Sequence, residues 1–297
     1  MSAEILPPDS RISFHSLPEN DGRRDAVCLT LKEKLELTLE AEALSPDIIG
    51  ALSQEEARKL PVILGKRQFQ LGDFFQVDGE KSRRLELHGD LARVKCIGRG
   101  MTTGSIAIYG NAGMHLGAAM AGGSITVYGN AADWLGAEMA GGLIRIHGNA
   151  GGQVGAAYRG SRKGMKGGVI LIDGTAGIEV GMRMRRGLIC IQGRAGDFAG
   201  LQMLGGTIIL CNKVGIRTGA WMSRGTIVAL EPLKLLPTFL YACTYRPAFL
   251  GLFMKQLQDL GMPVFEQAWS GLVQRYTGDT SGLGKGEILV YARDYLQ

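Results

Sequence analysis

A glycine repeat with a period of 19 residues constrains the fold of this chain more than any other feature. The glycines of the series are Gly104, Gly123, Gly142, Gly168, Gly187, Gly206 and Gly225. Their spacings are 19, 19, 26, 19, 19 and 19 residues. Self-similarity at a fixed short period is typical of a solenoid, in which each repeat forms one coil. The 26-residue spacing indicates a seven-residue insertion in the third coil, which we place at residues 158–164.

Apolar residues alternate with small or polar ones after each glycine, as in Ser105–Tyr109. This two-residue period is typical of a β-strand. Two apolar columns recur in register along the coils, beginning at Ile106 and Ile108. Stacking places equivalent residues about 4.8 Å apart, so the columns would close a continuous core. We therefore predict an all-β solenoid: a right-handed parallel β-helix of about seven 19-residue coils, with an α/β N-terminal flank and a helical C-terminal flank.

A methionine stands three residues before each strand-opening glycine. The column comprises Met101, Met120, Met139, Met165, Met184, Met203 and Met222. A stack of thioethers could form a ladder for a soft metal. A flexible apolar side chain that fills a narrow interior is the simpler interpretation, and we favour it.

The outward position between the two core columns changes character along the repeat. It is occupied in turn by Ala107, Thr126, Arg145, Leu171, Cys190, Ile209 and Val228. An apolar ladder on the outside of a sheet needs cover, from this chain or from another subunit. Helical spacing of apolar residues from Phe249 to Leu260 predicts an amphipathic helix in the tail. We favour cover by this tail, while cover by a partner is the alternative.

The repeat divides the chain into three parts. We expect an N-terminal capping segment at 1–83, the glycine-rich β-helix at 84–230 and a C-terminal helical and extended cover at 231–297. Ser53 and Glu56 have the spacing of a capping box, which predicts a short helix between residues 46 and 59. Solenoids need both ends closed, and the two flanks can serve this purpose.

The net charge of +5 is concentrated in the later coils. Residues 158–225 carry 11 Lys and Arg against 3 acidic residues, whereas the other regions are neutral or slightly acidic. Stacking should bring together the cations of the insertion and those of the next coil. Our candidate ligand-binding residues are Arg159, Arg162, Lys163, Lys166, Arg183, Arg185 and Arg186. Such a surface suits an anionic partner, although a solvated basic loop without a ligand explains the count equally well.

Several functional classes lack support in the sequence. The five cysteines form no Cys-x-x-Cys pair, which argues against a disulfide framework and a thiolate zinc site. The four histidines have no metal-binding spacing, and no nucleophile with an adjacent base can be identified. The glycine-rich turns lack the context of nucleotide-binding loops. We therefore expect no catalytic residue and no metal ligand in this chain.

We predict a soluble, cytoplasmic protein, because five cysteines without a Cys-x-x-Cys pair fit a reducing compartment. The first residues lack the basic and apolar stretches of a secretory signal. The most apolar segment, residues 232–253, is interrupted by charged residues and prolines, so it does not fit a membrane span. Because no aromatic residues are interleaved with the cations, nucleic acid is not an expected partner either.

The consensus of the repeat resembles a known family. The run G-N-A-G/A-x-x-x-G-A-x-M-x-G-G-x-I-x-I/V-x-G occurs at 110–129 and again at 129–148. It resembles the C subunit of formylmethanofuran dehydrogenase and its relatives, and the insertion and residues 71–79 look like the same family. The resemblance covers roughly residues 45–230, and the tail at 275–290 looks more like the bacterial branch. The repeat is also similar to the C-terminal domain of the glutamate synthase large subunit, for whose other domains this chain has no room.

The resemblance implies a scaffold subunit without its own active site in a formyltransferase/hydrolase complex. Such a four-subunit complex moves a formyl group from formyl-tetrahydromethanopterin to a methanofuran-like carrier and hydrolyses it to formate, with zinc in a partner subunit. No cofactor is expected on this chain alone. Because such carriers bear glutamyl tails, the basic residues could hold the tail. Their alternative role is to dock an acidic surface of a neighbouring subunit.

Other functions stay open at this point. The resemblance also fits the C subunit of a molybdenum or tungsten formylmethanofuran dehydrogenase. Parallel β-helices also serve as polysaccharide lyases and hydrolases, although the later coils offer only Asp173, Glu179 and Asp197 as acids. A stand-alone β-helix that acts on or binds acidic polysaccharide is therefore the alternative from another class. A structural solenoid without partners is a third possibility.

Overall fold

A large mixed sheet dominates the structure. The computed structural model describes residues 26–262 and 271–292, and within them one sheet has 13 strands and a second has four. The described part of the chain is therefore mostly β. Parts of the predicted segments at 1–83 and 231–297 lie outside the described residues, namely 1–25, 263–270 and 293–297. None of the described helices has the length and apolar character needed to cross a bilayer.

The N-terminal flank combines short strands and helices. It contains β1 (Val27–Leu31), β2 (Leu39–Glu40), α1 (Pro46–Ile49), α2 (Gln54–Arg58), β3 (Pro61–Leu64), β4 (Arg67–Gln70), α3 (Leu71–Phe74) and β5 (Phe75–Asp78). The predicted capping box is present at the start of α2: the Ser53 amide donates to Glu56 Oε2 at 2.9 Å, and the Glu56 amide donates to Ser53 Oγ. β1 and β5 join the large sheet.

The strands predicted from the glycine repeat form the centre of the large sheet. They are β6 (Arg84–His88), β8 (Ser105–Tyr109), β9 (Ser124–Val127), β10 (Leu143–Ile146), β11 (Val169–Ile172), β12 (Leu188–Ile191), β13 (Leu204–Leu210) and β14 (Arg224–Ala229), with β7 (Val94–Lys95) in the small sheet. Neighbouring strands run parallel with equivalent residues opposite each other. Ile144 lies opposite Ile170 across the insertion, so the extra residues loop out without shifting the register.

The space behind these strands is filled by side chains. All seven methionines of the column are fully buried at 0% exposure, which confirms that they fill the core. The strand-opening glycines face them: a Cβ on Gly142 would lie 2.7 Å from Met120 Cε and 2.7 Å from the Gly123 carbonyl oxygen. On another side, a Cβ on Gly136 would lie 2.6 Å from Ile170 Cδ1. Glycine is required because the interior has no room for a larger residue.

The C-terminal flank contains strands as well as the predicted helix. Its elements are β15 (Leu240–Tyr245), α4 (Leu250–Asp259), β16 (Val273–Gly278) and β17 (Lys285–Tyr291). β17 pairs in parallel with β14, and Ile288 lies opposite Ile227 in the core column. The predicted helical and extended cover did not include a strand that joins the large sheet. The extra strand was missed because it pairs with residues 61 positions earlier, which breaks the 19-residue period.

The tail covers the apolar outward column. Leu250 and Leu257 of α4 belong to one buried cluster with the outward side chains Leu171, Cys190, Ile209 and Val228. Where the column is still polar, Arg145 donates from Nη1 to the Leu260 carbonyl oxygen at 2.7 Å and from Nη2 to Asp173 at 3.0 Å. Leu260 follows the last turn of α4, so this cation binds the negative end of the helix. Within the described residues, α4 therefore packs against the apolar outward side chains.

A single added methyl group at Gly142 tests the close packing of the coils. Gly142 has φ +89°, and its Cβ would contact backbone and side-chain atoms of the preceding coil. Gly142→Ala should lower the free energy of unfolding by about 3 kcal/mol or more, because backbone strain adds to overpacking. Gly100→Ala is the matched control, since Gly100 has φ +67° but no atom within 4 Å of its Cβ. That control should lose only about 1–2 kcal/mol, and equal losses in urea unfolding would contradict the close packing.

Substitutions of two leucines in α4 test whether this helix packs on the apolar outward side chains of the sheet. Leu257→Ala should destabilise the protein by about 2–5 kcal/mol, because Leu257 is fully buried against the outward column. Leu252 lies in the same helix but is 75% exposed, so Leu252→Ala should change stability by no more than about 0.5 kcal/mol. Urea midpoints of the two variants provide the measurement. A Leu257→Ala protein as stable as Leu252→Ala would show that α4 does not cover the sheet.

Candidate functional site

The register of the repeats aligns two columns of residues at or just before the start of the later strands. Arg183, Gln202 and Trp221 occupy one turn position on successive coils, and each has a positive φ, of 56°, 53° and 55°. The second position is shared by Lys166, Arg185, Leu204 and Ser223, whose amides all donate to the carbonyl oxygen of a core methionine in the preceding coil. The parallel stacking therefore places these side chains in two adjacent rows on the outside.

A cavity of about 660 Å³ lies over these rows. It is lined by Arg162, Arg183, Gln202, Leu204, Trp221 and Ser223. Arg162 comes from the insertion, and Trp221 is 58% exposed. Two guanidinium groups, a side-chain amide and a hydroxyl offer hydrogen-bond donors, and the indole offers an apolar wall. The cavity is suited to a ligand that carries carboxylate groups.

Arg183 fixes the insertion against the next coil. Its Nη1 donates to the Ser161 carbonyl oxygen at 2.6 Å, and its Nε donates to Gln202 Oε1 at 2.7 Å. The Gly164 amide donates to the Arg183 carbonyl oxygen at 2.8 Å. These contacts hold the guanidinium in one orientation before any ligand binds, which reduces the entropic cost of binding.

An aromatic cluster fixes the start of the insertion. The rings of Trp134 and Tyr158 stack with centroids 5.0 Å apart, and the Tyr158 hydroxyl lies 2.8 Å from His115 Nδ1. Burial raises the pKa of Tyr158 to about 12 and lowers the pKa of His115. The phenol is therefore protonated and the imidazole neutral at neutral pH, and a hydrogen bond joins the two groups. This pair positions the loop and does not exchange a proton at neutral pH.

The tail fixes the backbone of Trp221. Asp279 is buried, and its Oδ2 accepts a hydrogen bond from the Trp221 amide at 2.8 Å. Burial alone would raise the pKa of Asp279, but hydrogen bonds from Ser281 and from the Trp221 amide outweigh it, so the pKa is lowered. The carboxylate stays ionised and connects the tail to the last coil of the repeat.

The structure brings together only some of the seven candidate cations. Arg162 and Arg183 line the cavity, and Lys166 and Arg185 are neighbours in one row. Arg159, Lys163, Lys166, Arg185 and Arg186 are exposed outside the cavity lining. Within residues 26–262 and 271–292, none of the seven forms an ion pair.

Sequence reasoning missed Gln202, Leu204, Trp221 and Ser223 as site residues. The signal was present, because residues 202 and 221 follow Arg183 at the 19-residue period. A search by charge alone overlooks neutral members of a row that begins with a cation.

Comparisons with known proteins agree with this architecture. The family described as "GXGXG motif" matches residues 83–238. A chain of the formyltransferase/hydrolase complex (FhcABCD) from Methylorubrum extorquens, solved in complex with methylofuran, has a TM-score of 0.82 and 37% identity, covering 90% of this chain and 100% of that chain.

Two curated relatives match over shorter stretches. The C subunit of the molybdenum-containing formylmethanofuran dehydrogenase 1 from Methanosarcina barkeri is 42% identical over 103 residues, which cover 33% of this chain and 34% of that protein. The C subunit of the formyltransferase/hydrolase complex from Methylorubrum extorquens is 38% identical over 73 residues, covering 25% and 28%. This chain thus matches about a third of the length of these relatives. It belongs to the GXGXG motif family and is a homologue of the C subunits of formylmethanofuran dehydrogenases and of a formyltransferase/hydrolase complex.

Proposed function

We propose that this chain is a non-catalytic scaffold subunit of a formyltransferase/hydrolase complex. The complex would convert formyl-tetrahydromethanopterin to formate through a methanofuran-like carrier, with zinc in a partner subunit. The observation that carries this proposal is the match along 90% of the chain, at 37% identity, to a chain of a complex solved with methylofuran. Residence in the cytoplasm belongs to the same proposal.

We also propose that residues 84–230 wind as a right-handed parallel β-helix, capped by 1–83 and covered by 231–297. Three backbone ladders support this winding. One joins the strands, a second links Ala112, Ala131 and Ala150 through parallel bridges, and a third runs from each turn glycine, such as Gly136, to the coil before it. The right hand is inferred from the general preference of parallel crossovers.

The surface that the seven candidate cations form would hold the glutamyl tail of the carrier. Several of its seven cations are exposed and lie one coil apart, so their mutual repulsion is relieved when carboxylates bind between them. Arg162 and Arg183 would bind the tail in the cavity, and the exposed cations would attract it from solvent. The filled interior leaves the outside of the coils as the surface on which this chain can act.

A second role for the same cations is to dock an acidic surface of a neighbouring subunit. The exposed apolar face of Trp221 beside them favours this alternative, because aromatic and arginine side chains are common in protein interfaces. The two roles differ in what the cations contact after assembly. Neutralising them separates the roles experimentally.

The related dehydrogenase is the alternative complex. Identities of 41–42% to C subunits of molybdenum- and tungsten-containing formylmethanofuran dehydrogenases favour it, although they span about a third of each protein. The two complexes differ in their metals. Isolation from the native cell therefore decides between them.

The tagged chain, purified from its native cell, should co-elute with three other subunits. We expect these partners to include a formyltransferase and an amidohydrolase-like protein, with zinc and without molybdenum or tungsten. Mass spectrometry and metal analysis of the eluate provide the readout. Molybdenum or tungsten with an iron-sulfur partner would favour the dehydrogenase, and a chain that elutes alone would contradict the subunit role.

Neutralising four exposed cations tests carrier binding in the assembled complex. The variant replaces Arg162, Lys163, Arg185 and Arg186 with glutamine and keeps Arg183, which anchors the insertion. Affinity for a glutamyl oligomer at low salt should fall at least about tenfold, and its salt dependence should become weaker. The oligomer's affinity is measured by calorimetry at two salt concentrations.

The matched control neutralises four exposed cations of the N-terminal flank, Lys34, Lys59, Lys66 and Arg67. It should bind the oligomer like the unmodified complex. Unchanged affinity in the test variant would contradict carrier binding. A test variant that no longer assembles would instead support the docking role.

A further inference from the structure

We infer that the first two parallel strands of the sheet form a zinc site from Cys28, Glu86 and His88. β1 pairs in parallel with β6, which places Cys28 opposite Glu86 and Thr30 opposite His88. Glu86 and His88 are two residues apart on one strand, so their side chains share a face with Cys28. Their ligand atoms all lie within 4.8 Å of one another. This inference does not depend on the proposed function.

The spacing of the ligand atoms is close to that of a zinc site. Glu86 Oε2 lies 3.9 Å from Cys28 Sγ and 4.0 Å from His88 Nε2. Tetrahedral zinc, with Zn–S about 2.3 Å and Zn–N and Zn–O about 2.0–2.2 Å, holds such atoms roughly 3.3–3.7 Å apart. Closing the site would shorten the two Glu86 distances by a few tenths of an ångström, and the ligand atoms of Cys28 and His88, which lie within 4.8 Å of each other, would approach by up to about 1 Å. The hydrogen-bonded strands beneath keep the three residues in place.

Neighbouring side chains orient two of the three ligands. Arg84 Nη2 lies 3.1 Å from Glu86 Oε1, which leaves Oε2 turned toward Cys28 and His88. The His88 ring stacks on Tyr109 with centroids 4.8 Å apart and planes within 9°. Such outer contacts are typical of metal sites, where they fix the direction of the ligand atoms.

The chemistry of the donor set favours zinc. One thiolate, one imidazole and one carboxylate are all common zinc ligands, whereas magnesium and calcium prefer oxygen ligands. All three side chains are partly exposed, so an ion can reach them. No spacing in the sequence signals this site, because Cys28 and Glu86 are 58 residues apart. Metal bound here would join β1 to β6 and stabilise the start of the sheet.

The untagged full-length chain, freed of metal with a chelator, is titrated with Zn²⁺ alone and separately with Co²⁺. We expect one equivalent of zinc and a thiolate-to-cobalt charge-transfer band. Cys28→Ser should abolish this band, and both Cys28→Ser and His88→Gln should weaken zinc binding by more than about 100-fold. The matched controls are Cys243→Ser, at an exposed cysteine, and His147→Gln, at the repeat position equivalent to that of His88. Both controls should bind zinc normally.

Alkylation of the unmodified chain provides a second test that needs no variant. Bound zinc should slow the reaction of Cys28 with iodoacetamide at least tenfold and leave Cys243 unchanged, as measured by peptide mass spectrometry. The inference is overturned if zinc does not bind, if Cys28→Ser binds it as tightly as the unmodified chain, or if zinc leaves Cys28 alkylation unchanged.

Discussion

Parallel hydrogen bonding between coils in one register is the constraint on which the rest of the structure depends. Each strand pairs with the strand one repeat earlier, so residues at the same repeat position form a column in which neighbours lie one strand spacing apart. In the interior, each column therefore needs the same type of residue in every repeat. The methionine of one coil contacts the opening glycine of the next, and an isoleucine methyl reaches the glycine turn on the opposite side. The same rule leaves outward columns free to vary from coil to coil, because they need not pack against the core.

The outward columns differ between the earlier and the later repeats, so the two parts of the sheet have different surfaces. At the later coils the outward strand position becomes apolar and is covered by α4, while the turn positions become cationic or aromatic and stay accessible. Arg183 and the Tyr158–His115 pair fix the insertion, and Asp279 fixes the last turn. The later repeats therefore present a positively charged surface that these contacts hold in place. A scaffold that positions an acidic carrier or an acidic partner needs such a surface and no active site of its own.

Periodicity made much of this fold predictable, and its limits follow from the same physics. The columns, the insertion, the Ser53 capping box and the helix near 250–260 are local or periodic signals, and the structure bears them out. The strand β17 could not be found, since it returns to the sheet after a long excursion that erases the period. Cys28 and Glu86 are likewise joined only by strand pairing. Trp221 could have been predicted from the 19-residue period, but it carries no charge and a search for cations does not find it.

Binding of carboxylate ligands to the later turn columns is tested most directly by hydrogen exchange of the assembled complex. Amide exchange is followed by mass spectrometry with and without a glutamyl oligomer. We predict slower exchange at residues 158–166, 183–186 and 202–204, and no change at residues 26–78. Protection confined to the N-terminal flank, or to the other subunits alone, would contradict the claim.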